Sequence, residues 1–364
     1  MMGFTRDNSK NFDKIIFFST LAILFVGVLV LHSASSRYYH QNIVFRQIIW
    51  ISVGIMFLFA VLRISYQKIL HVSYLLYGLN MFFLVLVLVI GQARGGSHRW
   101  INLGAFNFQP SELAKIALIF ALSSYLGARK GDVARIGALF GVLCFALPVF
   151  ILILIEPDLG TALMLVPITF AMLFMAGANM RHLMSVVFMG LGALPFLWHL
   201  LRDYQKQRLL VFINPNIDPL GSGYTIIQSK IAVGSGGLFG KGWLSGTQNQ
   251  LNFLPERHTD FIFSVVGEEW GFLGALILIL LYLLIVYRGI KIMQSTPDIY
   301  GRLIATGVVT LFSLQVVINI GMTIGFLPVV GITLPLISYG GSSLITTLIL
   351  IGVLLNIGMR RPLF

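Results

Sequence analysis

Lys241, Glu256, Arg257, His258 and Asp260 are gathered where a long polar stretch runs into an apolar one, with Ser264 and Glu268 just beyond. A carboxylate held at such a boundary can take the proton from a hydroxyl as that hydroxyl attacks an electrophile. Asp260 is the candidate for that role. Pro255 marks a break before a helix start, and Thr259 and Asp260 are both good N-cap types, so the bland alternative is that Asp260 only caps the helix opening at Phe261. Asp260, Ser264 and Glu268 are four apart, which on a continuous helix predicts one shared polar face. A second group precedes Ile116: Arg99 and Trp100, then Pro110, Ser111, Glu112 and Lys115. Glu112 and Lys115 form an i,i+3 pair of opposite charge at a predicted helix start. Trp100 suits a membrane interface, and Arg99 a lipid headgroup. A third group is Glu156-Pro-Asp158, where Asp158 is placed to cap the next helix and Glu156 to meet a cation. His32, His71, His182 and His199 lack metal-ligand spacing, and the glycines of 234–242 lack the phosphate-loop pattern around Lys241, so neither a metal nor a nucleotide site is predicted.

The elements that must hold these groups are membrane helices. The 364 residues are 57% hydrophobic and 10% charged, whereas soluble domains carry roughly a quarter charged residues. Apolar runs at 15–33, 43–62, 69–91, 112–127, 136–155, 159–179, 182–201, 261–287, 302–325 and 341–359 are of helix-spanning length. They lack the alternation of a transmembrane barrel. The expectation is an all-α polytopic membrane protein, one domain over 1–364, with about ten transmembrane helices and an uncleaved first span. Fourteen Lys and Arg then fall on the side of the N-terminus, against five on the short opposite connections, which predicts both termini in the cytoplasm. The long loop 202–260, between helices seven and eight, faces outward. Tyr224–Val233 within it reads as an amphipathic helix on the membrane surface. Gln315, Asn319 and Thr323 make a polar stripe on the ninth helix, of the kind that joins helices, and the break at 334–342 places Ser338 and Tyr339 at the outer surface. The net charge of +12 is scattered between apolar runs and forms no stripe for nucleic acid, so membrane lipids are the expected anionic partner. The single cysteine, Cys144, excludes an intrachain disulfide.

Several runs together resemble one family. Asp203-Tyr-Gln-Lys-Gln-Arg208, Asp218-Pro-Leu-Gly-Ser-Gly-Tyr-Thr-Ile-Ile-Gln-Ser-Lys230, Gly234-Ser-Gly-Gly-Leu-Phe-Gly-Lys-Gly-Trp243 and Leu254-Pro-Glu-Arg-His-Thr-Asp-Phe-Ile-Phe263 closely resemble the SEDS family (shape, elongation, division and sporulation), as do 108–115 and 335–342. The short N-terminal tail and the Asp203–Arg208 run look most like its elongation branch, with the division branch as the alternative. The resemblance implies a peptidoglycan glycosyltransferase of the bacterial cytoplasmic (inner) membrane. Such an enzyme polymerises lipid II into a growing glycan strand on the outer face, together with a class B penicillin-binding protein. It carries the catalytic role to Asp260 and places Glu112 and Lys115 near the same cavity. Glu156 departs from the Gln-Pro-Asp often found in relatives and receives no role. Outside the cell no nucleotide sugar is at hand, so the donor must carry its own activated bond, as a polyprenyl-pyrophosphate sugar does. The leaving pyrophosphate would be met by Lys115, Arg99, Arg208 or Lys241, with Trp100, Glu256 and His258 lining the substrate site. No cofactor is assigned, and a bound divalent cation could share that charge. A lipid II flippase is the other reading of such a chain, but no internal repeat is found and the charged signatures lie at the surface instead of mid-membrane.

Overall fold

The computed structural model describes residues 11–36, 42–94, 97–102, 107–129, 132–201 and 203–360. The charges at Arg6, Lys10, Arg37, Lys130 and Arg361, counted in the expected orientation, lie outside the described residues. The chain runs through α1 (Lys14–Ser35), α2 (Ile43–Arg63), a short α3 (Tyr66–His71) and α4 (Ser73–Ile90), then three short strands, β1 (Gln92–Arg94), β2 (Ser97–Asn102) and β3 (Asn107–Phe108). It continues through α5 (Pro110–Ala128), α6 (Ile136–Ile155), α7 (Leu159–Met175) and α8 (Met180–Leu200). After these come α9 (Asp203–Ile213), α10 (Ser222–Ser235), a single turn α11 (Thr247–Gln250), α12 (Ile262–Ser295), α13 (Ile299–Thr323) and α14 (Gly341–Met359). Eight of these helices are long and apolar enough to cross a membrane, and α7 and α8 contain two shorter apolar segments. The ten expected spans are all helical, and the protein is an all-α polytopic membrane protein.

Which helices sit inside follows from their small and polar residues. α5, α13 and α14 are buried along most of their length, whereas α2, α4 and α6 turn most of theirs outward. α14 carries Ser342, Thr346, Thr347, Gly352 and Asn356, all buried. Lipid tails give no hydrophobic reason for helices to meet, so close approach and polar links select the inner ones. Gly352 admits the backbone of Leu58 on α2, and Asn356 Nδ2 donates to the Val61 and Ile64 carbonyls at 2.8 and 2.7 Å. Those carbonyls at the end of α2 would otherwise be costly in a membrane.

Three departures from the sequence reading matter for the site. The described residues of the connection between α4 and α5 form a small antiparallel sheet in the order β1-β2-β3, with Arg99 on β2. α10 occupies the expected 224–233 stretch but packs against α12 and α13; Ser229 Oγ shares a hydrogen bond with Ser264 Oγ at 2.7 Å and donates to the Thr323 carbonyl at 2.6 Å. Finally, residues 334–338 of the break after α13 are buried instead of exposed. Leu334, Leu336, Ile337 and Ser338 are buried, the Pro335 carbonyl accepts from Tyr282 on α12, and Leu336 lies against Gly27 of α1. Non-helical backbone is tolerated there because protein surrounds it.

Candidate active site

Asp260 stands in a tight turn ahead of α12 and is not its cap. The Phe261 N–H donates to the Glu256 carbonyl at 3.2 Å, and the N-cap position belongs to Phe261, with no side-chain cap bond. The polar face expected from Asp260, Ser264 and Glu268 therefore does not form, because the helix starts only at Ile262. Ser264 turns to α10, while Glu268 is fully buried against the loop before it. The backbone on either side of Asp260 is fixed from the neighbouring segments. Asn319 Nδ2 donates to the Asp260 carbonyl at 2.9 Å and to the Ile332 carbonyl at 2.7 Å. Ser338 Oγ donates to the Thr259 carbonyl at 2.6 Å, and the Tyr339 N–H to the His258 carbonyl at 2.9 Å. The polar stripe of α13 thus does its joining at this turn.

The Asp260 carboxylate itself is half-buried and takes no hydrogen bond or ion pair among the described residues. It faces Gly331, whose φ of 73° favours glycine and where a Cβ would come within 3.4 Å of Asp260 Oδ2. Burial and the nearby Glu256 push its pKa up to about 6, with Asp158 adding to the rise and Arg208 and Arg99 opposing it. Those causes name the surroundings: two acids and two guanidinium groups from four different segments.

Arg99 and Asp158 are linked to each other. Asp158 caps α7 as expected, accepting from the Thr161 N–H at 3.1 Å and Thr161 Oγ1 at 2.9 Å. Arg99 Nη1 lies 3.6 Å from Asp158 Oδ1, and the same guanidinium donates to the Glu156 and Pro157 carbonyls. The expected pairing of Glu156 with an outer cation is not made among the described residues: Arg99 takes its main-chain carbonyl and leaves both carboxyl oxygens without partners there. Arg99, Pro157, Gln205, Arg208 and Val330 line one small cleft, and Arg208 is exposed there, with Nη1 3.4 Å from the Val329 carbonyl. Trp100 follows Arg99 on β2, so its side chain leaves from the opposite face of the strand.

Other sequence candidates stand in different settings. Glu112 and Lys115 form the expected pair at 2.7 Å, but both are buried in the packing of α5 and do not snorkel at its end. Lys241 Nζ is held by Glu268 Oε1 at 2.8 Å and Thr247 Oγ1 at 2.9 Å. Glu256 Oε2 accepts from Thr259 Oγ1 at 3.0 Å. His258 is half-buried, and burial lowers its pKa. Asp158, Asn319 and Gly331 belong to the Asp260 surroundings without having been singled out for them; the acid and the amide in apolar runs were the available signal. Among the described residues, no three His, Cys, Asp or Glu side chains stand together so as to hold a metal ion.

Similar proteins agree over nearly the full length. The chain is 39% identical to stage V sporulation protein E of Bacillus subtilis over 361 residues, covering 95% of this chain and 96% of that protein. It is also 39% identical to the peptidoglycan glycosyltransferase MrdB of Escherichia coli K12 over 352 residues, covering 96% and 94%. Among solved structures, a chain of a peptidoglycan synthase complex that coordinates polymerization and crosslinking superposes with a TM-score of 0.83 at 36% identity, covering 95% of this chain and 97% of that one. With residues 13–362 matched by the cell cycle protein model FtsW/RodA/SpoVE, the chain belongs to this family, the SEDS proteins.

Proposed function

We propose that this protein is a peptidoglycan glycosyltransferase of the elongation type, polymerising lipid II at the outer face of the cytoplasmic membrane with Asp260 as general base. The activity named for the relatives supports the reaction class, and the Asp203–Arg208 run supports the elongation branch. The observation that carries the assignment to Asp260 is an unengaged, half-buried carboxylate whose backbone is tied on both sides. With a pKa of about 6 it is largely ionised at neutral pH, yet basic enough to draw a proton. In the transfer, the acceptor 4-hydroxyl attacks the donor anomeric carbon, its proton passes to the Asp260 carboxylate, and the bond to the lipid pyrophosphate breaks. Arg208 and Arg99 lie within electrostatic reach of Asp260 and are the cations assigned to the charge that develops on the leaving group. No metal-ligand set converges there among the described residues, so the carboxylates themselves offer no built cation site.

Ten crossings with the N-terminus inside leave both termini cytoplasmic and the site outside, in agreement with the excess of basic residues on that side. The crosslinking activity falls to a separate single-span transpeptidase, a class B penicillin-binding protein. Asp260→Asn keeps the shape of the side chain but not its basicity. The purified variant should fold, yet make polymer from lipid II about 100- to 10,000-fold more slowly than the parent. Near-normal glycan chains from Asp260→Asn would remove the base from this residue.

A further inference from the structure

Glu156 is a buried acid that the transfer leaves unused. It follows the last residue of α6, is fully buried, and neither carboxyl oxygen has a hydrogen-bond partner among the described residues. An ionised carboxylate in that position loses its hydration with nothing in exchange, whereas the neutral acid loses far less. The nearest cation is already committed. Arg99 directs its guanidinium to the Glu156 and Pro157 carbonyls and to the Asp158 carboxylate. The charged groups facing Glu156 are thus Asp158 on its own turn and Arg99 on β2. Arg208 from α9 lies across the cleft, and Asp260, ahead of α12, is coupled to the same Asp158 and Arg99.

We propose that Glu156 is a positioning residue that works as an uncharged carboxylic acid, leaving Arg99 to Asp158 and so setting the charge that Asp260 meets. The proposal rests on the reading of Asp260 as the base. Burial first, and then the Asp158 carboxylate, push the Glu156 pKa up to about 9, so the acid is neutral where the enzyme works. If Glu156 ionised, it would compete with Asp158 for Arg99 and draw the guanidinium from the carbonyls that hold the 156–158 turn. Asp260 would then lose part of one cationic neighbour and gain an anion nearby. Arg99, drawn towards Glu156, would also give less support to the charge that develops on the leaving group, which slows the transfer.

Glutamine has the shape of the neutral acid and cannot ionise, which makes Glu156→Gln the discriminating variant. Two measurements on the purified full-length protein test the proposal. Infrared difference spectroscopy at neutral pH should contain the carbonyl band of a protonated carboxyl that Glu156→Gln lacks. Polymerisation of lipid II by Glu156→Gln should match the parent at neutral pH, while its alkaline limb moves up from near pH 9 by at least about one unit. Absence of the band from the parent overturns the proposal. So does a Glu156→Gln enzyme that is inactive at neutral pH, or one whose alkaline limb is unmoved. Alongside, an inactive Asp260→Asn with an unmoved Glu156→Gln limb overturns the positioning role alone, whereas an active Asp260→Asn overturns the base and the positioning role together.

Discussion

At the scale of single residues, the site turns on how each carboxylate is satisfied. Glu268 is fully buried but accepts from Lys241, Thr247 Oγ1 and the Gln248 and Asn249 N–H groups, the loop wrapping it with donors. Asp158 is satisfied by Thr161 and Arg99. Asp260 alone of these three has an unoccupied carboxylate, and its raised pKa has a measurable consequence. The sign is that of an acid that holds its proton to higher pH than in water: the base is ionised above about 6 and lost below it. The rate of polymerisation under limiting lipid II should therefore fall as pH drops through about 6, approaching tenfold per unit. A rate that stays level down to pH 4.5 would take the base away from Asp260. Lys115 and Lys241 illustrate the opposite case. Their types suggested phosphate contact, but each ammonium is bound to a buried glutamate in the structure.

At the scale of elements, the site is held by two interruptions of helical order. α12 breaks at Gly271, where φ is 65° and ψ is −163°, a conformation essentially restricted to glycine. Into the break fits the loop after α10: the Lys241 N–H donates to the Glu268 carbonyl at 3.0 Å and the Phe272 N–H to the Gly237 carbonyl at 2.9 Å. Loop, break and Glu268 form one unit that anchors the first turns of α12. Gly271→Ala should strain the backbone by about 1–3 kcal/mol and also drive a Cβ into the Gly240 backbone. Its unfolding temperature in detergent should fall clearly, where Gly78→Ala, on α4 with open space around it, should leave it within about a degree. Equal temperatures for the two variants would mean that the break is not held in the folded protein. The second interruption follows α13; its residues 334–338 are buried, and Ser338 meets the Asp260 turn.

At the scale of the whole molecule, the proposed partnership with a separate transpeptidase can be tested directly. Co-expression with a single-span class B penicillin-binding protein should give a stable complex after detergent extraction, with faster glycan synthesis than the protein alone. Recovery of the protein alone, at a rate the transpeptidase does not change, would count against that partnership. The apolar helices were legible in the chain because long apolar runs have one solution in lipid, a hydrogen-bonded helix. The pairing of Glu112 with Lys115 and the cap at Asp158 were legible too, being contacts within a few residues on one helix. What only the tertiary structure decided is which distant groups meet. Arg99 on β2, Asp158 before α7, Arg208 on α9 and Asp260 before α12 are separated by dozens of residues, and no local spacing brings them together. Nor could spacing reveal that Asp260 falls outside its helix, since that start is set by the Glu256 turn and by the carbonyls that Asn319 and Ser338 hold. Helical periodicity is a property of the nearby chain, whereas the burial that raises an acid's pKa is supplied by whatever the fold packs against it.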